Sequence, residues 1–210
     1  MTDLNVECFG HDGGVNLLQH PGTLRGRIVT LEPLTAEHAE GLGAAAEDGE
    51  VWRLWYTQVP RPEGMAAEIE RRLQLQREGS MIAFASRRND TGALIGMTTF
   101  MHIDAKTPRV EIGSTWNAAS AQGTGTNAES KLLLLQHAFD VWGCTAVEFR
   151  TDFNNHQSRA AIARLGANQD GVLRAHQNSN GYLRDTVVFS ITQPEWAGVR
   201  LGLEHRLRKY

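Results

Sequence analysis

The stretch from Glu111 to Gly143 reads EIGSTWNAASAQGTGTNAESKLLLLQHAFDVWG, and its three parts decide the fold class. Val110, Ile112, Ser114 and Trp116 alternate with Glu111, Gly113, Thr115 and Asn117, a period of two that predicts a strand with one face on a core. A polar loop, Ala118 to Gln122, leads into Gly123-Thr124-Gly125-Thr126-Asn127. Beyond it Ala128, Leu132, Leu135, Phe139 and Trp142 fall on one helical stripe, with Gly143 where a C-terminal cap belongs.

The predicted helix therefore begins at the two glycines. Glycine lets the backbone approach a ligand closely, while the free amides of the first turn and the positive end of the helix dipole point out of the loop. That is an anion site suited to phosphate or diphosphate. One pattern that fits is the dinucleotide fingerprint, Gly123-x-Gly125-x-x-Ala128 with Glu148 downstream for a ribose. The fingerprint wants its first glycine at the strand end and a train of βαβ units, whereas here a polar loop intervenes and a meander precedes.

Outward from this stretch the chain is that of an ordinary globular protein. Its 210 residues suit one domain, and a formal charge of -3 offers no basic field for nucleic acid and no polybasic membrane anchor. Cys8 and Cys144 show no metal or C-x-x-C spacing, and the eight histidines are scattered, so no metal is expected and reduced thiols in the cytoplasm are. No apolar run long enough for a signal peptide or a membrane span is found.

Residues 1–23 read as a polar extension, and 24–210 as the domain. Leu24 to Leu34 predicts a strand ended by Pro33, and Thr35 caps a helix over Ala36 to Ala46. GEVWRLWYT predicts a short helical piece in which Val51, Leu54 and Trp55 share one face and Trp52 and Tyr56 another. Glu63 to Arg77 is an amphipathic helix with Met65, Ile69 and Leu73 inward. Met81 to Arg88 and Ala93 to Met101 form a hairpin across Asn89-Asp90-Thr91-Gly92, on which His102 and Asp104 share a strand face. After Gly143, Cys144 to Asp152 is a strand, Asn154 to Leu165 a short helix, Gly171 to Gln177 and Tyr182 to Thr192 a closing hairpin, and Pro194 starts a last helix whose late cations complement its C-terminus.

Gln122-x-x-Gly125-x-Asn127 resembles the pyrophosphate loop of the Gcn5-related N-acetyltransferases (GNAT), with Asn127 where that family has Gly or Ala. Asn155-x-x-Ser158-Arg159 followed by Arg164-Leu165-Gly166-Ala167 resembles the second motif of the same superfamily, in its RimJ/RimL-like branch that acetylates ribosomal-protein N-termini. Gly171-Val172-Leu173-Arg174 and Gly181-Tyr182-Leu183-Arg184-Asp185 continue that resemblance, which covers residues 24 to 193.

The resemblance implies an α/β (α+β) fold with a mixed, mostly antiparallel central sheet flanked by helices on both faces, and acetyl-CoA as cosubstrate. It implies that the backbone of Thr115, Trp116 and Asn117 pairs with the pantetheine arm, and that amides from Gln122, Gly123, Thr124, Gly125, Thr126 and Asn127 hold the diphosphate. Asn155 would bond the pantetheine end and Ser158 would sit near the sulfur; their spacing also suits a helix N-cap and its partner. Glu111, Glu148 and Asp152 are candidate bases for an amine whose own reference pKa is near 8, and each is also readable as a strand-face charge.

An acyl thioester is already activated, so such a protein must chiefly align an amine, polarise a carbonyl and support a thiolate. The expected reaction is direct transfer to the amine of a protein N-terminus or small molecule in a ternary complex. Trp52, Trp55 and Tyr56 are candidate walls of the acceptor pocket, with core packing the other reading. A non-catalytic acyl-CoA-binding module and a nicotinamide-dependent reductase remain alternatives, and a homodimer is left open.

Overall fold

The computed structural model describes residues 20–179 and 181–210. Most of the polar extension assigned to residues 1–23 lies outside these residues. Eight strands form one sheet in the order β1-β2-β3-β4-β5-β6-β8-β7. They are β1 (Leu24–Arg25), β2 (Val29–Pro33), β3 (Met81–Arg88), β4 (Leu94–Asp104), β5 (Arg109–Asn117), β6 (Ala146–Asp152), β7 (Asn168–Ser179) and β8 (Tyr182–Thr192). Every pairing is antiparallel except β5 with β6, which are joined by a helical crossover.

Helices cover both faces. Helix α1 (Ala39–Glu47) and α2 (Met65–Arg77) bury Leu42, Ala46, Met65 and Ile69 against Ala83, Ala85, Met97 and Trp116. On the other face α3 (Thr126–Gln136), α4 (His156–Ala163) and α5 (Gln193–Leu207) pack on Val29, Leu31, Phe84, Phe100, Ile112 and Val147. This is the mixed, mostly antiparallel sheet expected from the sequence. The stripe Ala128, Leu132, Leu135, Phe139 and Trp142 is buried throughout, and the helix continues past α3 through a widened turn at His137–Val141 to Gly143, whose φ of 65° closes it.

Two local expectations are corrected. Leu24 to Leu34 is not one strand, because the chain reverses at Gly26-Arg27-Ile28, where the Glu129 carboxylate accepts the amides of Arg27, Ile28 and Val29 at 3.0, 2.6 and 2.7 Å. That carboxylate, from the first turn of α3, fixes the reversal. The piece GEVWRLWYT makes a single 3-10 turn at Val51–Arg53. The turn ends at Leu54, whose ψ of 113° is extended, so no helical face reaches Trp55, which is 59% exposed and stands in a loop.

Candidate functional site

The site arises where the sheet comes apart. Strands β5 and β6 pair only at Arg109 with Ala146, Val110 with Val147 and Glu111 with Glu148; beyond that they diverge. A bulge begins the divergence. Thr99 pairs with Gly113 and Met97 with Trp116, so Thr98 alone faces both Ser114 and Thr115, and Ser114 takes a left-handed φ of 46°. The bulge is held by side chains: Arg72 Nη1 donates to the Ser114 carbonyl at 3.1 Å, Thr99 Oγ1 to the Gly113 carbonyl at 2.9 Å, and the Thr98 and Thr115 hydroxyls meet at 2.8 Å.

A cavity of about 530 Å³ fills the gap. Ile112 to Asn117 form one wall, so the backbone of Thr115, Trp116 and Asn117 faces it, although the Trp116 indole packs into the α1/α2 core. Phe149 to Asp152 of β6, with Asn155 just before α4 and Ser158 within it, form the opposite wall. Asn155 Oδ1 accepts the Ser158 amide at 2.9 Å, so this pair caps α4 while also facing the cavity.

One end of the cavity is the glycine loop. Gln122, Gly123 and Asn127 line it, with Gly123 at φ 76° and Gly125, the N-cap of α3, at φ 88°. The hydroxyls of Thr124 and Thr126 both fold back onto the Ala121 carbonyl, at 2.7 and 2.9 Å, so these threonines shape the loop with their side chains. The first-turn amides of α3 have no partner within the helix, and Asn127 of this turn reaches the cavity while Thr124, Gly125 and Thr126 do not line it. A glycine loop at a helix N-terminus, continuous with a strand unpaired on one side, fits a ligand that has a diphosphate at one end and an amide-bearing arm at the other.

The other end is acidic and aromatic. Glu111, 5% exposed, receives His102 Nδ1 at 2.8 Å and lies 3.4 Å from Arg150 Nε. The bonded carboxylate raises the His102 pKa above its ordinary value. Glu148 is bound by Arg109 and by Arg150, the latter at 2.8 Å. Asp152 differs from both. It is 2% exposed, its Oδ1 accepts the Asn154 amide at 2.8 Å, and its Oδ2 has no hydrogen-bond partner, with Arg184 Nε 3.8 Å away.

Of the three aromatics singled out, Tyr56 lines the cavity. Trp55 packs perpendicular to Tyr56 and Tyr182, and Trp52 lies under the Arg53 and Arg61 guanidiniums and lines a separate shallow pocket. The sequence reading missed Arg72 and Lys131, both buried and both on the cavity wall. A signal for Lys131 was available: it is a charge directly before four leucines in a helix with little exposed surface. Among the described residues no cluster of three or more His, Cys, Asp or Glu could hold a metal.

Residues 29–168 match the family model described as Acetyltransferase (GNAT) domain. The chain belongs to that family. It is thus a GNAT N-acetyltransferase, and the nicotinamide-dependent reading of Gly123 and Gly125 is set aside. The uncharacterized N-acetyltransferase p20 of Bacillus licheniformis is 27% identical over 180 residues, 84% of this chain and 99% of the relative. A GCN5-related N-acetyltransferase from Brucella melitensis superposes at a TM-score of 0.79 with 28% identity, over 90% of this GNAT chain and 86% of its own. RimJ of Mycobacterium smegmatis, solved with CoA-disulfide, shares the fold at a TM-score of 0.73 and 19% identity, over 88% of this chain and 91% of its own. No helix among the described residues is long and apolar enough to cross a membrane.

Proposed function

We propose that residues 24–210 act as one unit, in the cytoplasm, to transfer an acetyl group from acetyl-CoA directly to a primary amine in a ternary complex. The observation that carries this reading is the continuity of one cavity from the glycine loop to Asp152 along the unpaired side of β5. The diphosphate is assigned to the amides of Gln122 to Asn127 and the pantetheine arm to the backbone of Thr115 to Asn117. Asn155 bonds the end of that arm, and Ser158 faces the sulfur.

Asp152 is the carboxylate assigned to the acceptor amine. Glu111 and Glu148 are hydrogen-bonded by His102, Arg150 and Arg109, whereas Asp152, which lines the cavity, has a buried Oδ2 with no hydrogen bond and only Arg184 Nε at 3.8 Å, so that a small shift of Arg184 would open it. An ammonium docking there gains a charge-assisted bond and gives up its proton beside the thioester. The acceptor is a protein N-terminus of the kind acted on by RimJ/RimL-type enzymes, whose fold the chain shares, or a small amine of similar reach. Tyr56 lines its path, and Trp55 packs edge-on against Tyr56 from outside the cavity wall.

Calorimetric titration with acetyl-CoA, with NADH in parallel, tests the first half. Saturable binding of acetyl-CoA alone is expected, and binding of NADH alone would overturn the reading. Thiol release with peptides bearing free or blocked N-termini tests the second half. Binding of acetyl-CoA without thiol release from any amine would favour a non-catalytic acyl-CoA module. Asp152→Asn is expected to lower kcat by about two orders of magnitude, in the range of a lost general base.

A further inference from the structure

Lys131 is the least ordinary charge in the described chain. It stands in the second turn of α3, four residues after Asn127 and hence on the same helical face, and both residues line the cavity. Its side chain is 5% exposed, and Nζ donates to Thr98 Oγ1 at 3.0 Å and to Thr115 Oγ1 at 2.8 Å. An ammonium has three N–H groups, so these hydroxyls leave one uncommitted.

Among the described residues no carboxylate pairs with Lys131: the acidic groups on the cavity wall, Glu68, Glu111 and Asp152, stand beside Arg72, Arg150 and Arg184. Against Lys131 stand Thr98 from β4 and Thr115 from β5; across the cavity are Arg150 and Asp152 of β6, Ser158 of α4 and Arg164 just after it. Burial, with no contribution from a charged neighbour, lowers the Lys131 pKa to about 7. An unpaired buried ammonium is costly, and an apolar side chain would seat α3 on the sheet at less cost. The position makes chemical sense if an anion arrives with the ligand.

That anion is not the diphosphate, which the glycine loop takes at the first turn of α3. Lys131 lies about 6 Å further along the helix than Asn127, and its Nζ rests on Thr115, beside the bulge at Ser114. On the acetyl-CoA reading, on which this inference rests, Thr115 is the thioester end of the bound arm. We propose that Lys131, held by the Thr98 and Thr115 hydroxyls, is a built-in counter-charge for the thiolate of coenzyme A. The thiol that acyl transfer liberates is thereby kept as an anion beside a cation, and Ser158 approaches it from the opposite wall.

The test reads the ligand's own titration. With coenzyme A bound, the thiolate's ultraviolet absorbance is followed against pH for wild type, Lys131→Met, Lys131→Arg and Ser158→Ala. The thiol on wild type is expected to ionise about one pH unit below free coenzyme A, a tenfold larger acid dissociation constant. Lys131→Met should abolish that shift, while Lys131→Arg and Ser158→Ala retain most of it. Lys131→Met should bind coenzyme A within about threefold of wild type at pH 6, where the thiol is neutral.

An unshifted thiol on wild type, or a shift that survives in Lys131→Met, overturns the inference. Should Lys131→Met fail to fold, NMR titration of the Lys131 amine in wild type decides. Coenzyme A is expected to raise its pKa and desulfo-coenzyme A, which lacks the thiol, to leave it unraised; equal effects overturn the proposal. Failure of wild type to bind coenzyme A would overturn the acetyl-CoA reading together with this one, whereas binding with an unshifted thiol removes this one alone.

Discussion

Arg72 Nη1 lies 3.1 Å from the carbonyl oxygen of Ser114, so a guanidinium buried in α2 holds the residue at which β5 bulges away from β4. The same Arg72 pairs with Glu68 at 2.7 Å, which is itself shared with Arg71. Helix α2 thus sets the shape of the strand whose backbone faces the cavity. Arg72→Leu is expected to weaken acetyl-CoA binding about tenfold, one step of 1.4 kcal/mol. It should also cost about 2 kcal/mol of stability, because Glu68 keeps Arg71 and only part of a buried pair is lost. Calorimetric titration and denaturant unfolding measure the two effects; unaltered binding would detach α2 from the site.

Glu129 accepts three backbone amides across about one hundred residues of sequence. Glu129→Ala leaves those amides without an acceptor and is expected to cost about 3 kcal/mol, with Glu129→Gln intermediate. Denaturant midpoints at a common slope give the values.

The His102–Glu111 contact makes part of the stability depend on pH. Hydrogen bonding to Glu111 raises the His102 pKa above 6.5, so the folded protein holds this proton more tightly than the unfolded chain. The contribution is fully present below 6.5 and is lost as pH rises through the raised value. His102 is half exposed, so the effect is small. In NMR titration His102 should titrate above 6.5, and Glu111→Gln should bring it down; the same midpoint in both proteins would refute the assignment.

Lys131 has the opposite sign. Its folded pKa of about 7 lies below the ordinary lysine value of 10.5, so between these pH values the unfolded chain binds the extra proton. Stability of the ligand-free protein should therefore rise across that window, by at most about 1.4 kcal/mol per pH unit for one proton. Lys131→Met should be more stable than wild type at pH 6 and should lose this slope in unfolding curves.

Gly123 and Gly125 respond differently to alanine. Both have positive φ, a strain of about 1–2 kcal/mol for an L side chain. A Cβ at Gly123 meets nothing within 4 Å, whereas at Gly125 it falls 2.6 Å from the Tyr210 ring. Thermal unfolding should show Gly125→Ala melting well below Gly123→Ala, and the reverse order would count against the packing of Tyr210 on the loop.

The sequence carried the parts of this site that depend on short-range pattern. The stripe from Ala128 to Trp142, the two glycines and the Asn155–Ser158 cap all follow from spacing within one element. Glu129, Lys131 and Arg72 escaped, because a charged letter in an amphipathic helix reads as solvent-facing until its partners are known. Those partners lie far off in the chain: the amides of residues 27–29, the hydroxyls of Thr98 and Thr115, and the Ser114 carbonyl. Trp55 misled in the other direction. Its spacing from Val51 suits a helix, but the chain leaves helical geometry at Leu54, where ψ is 113°.

A sheet of eight strands ordinarily has two edges, and this one has four. Where β5 and β6 part, each presents a row of backbone groups to the gap, and such rows are templates for any extended chain that reaches them. On the acetyl-CoA reading, a ligand bound in this gap would also act as a plug. The ligand-free protein is the form open to strand capture by another polypeptide, so light scattering on warming should begin at a lower temperature without acetyl-CoA than with it.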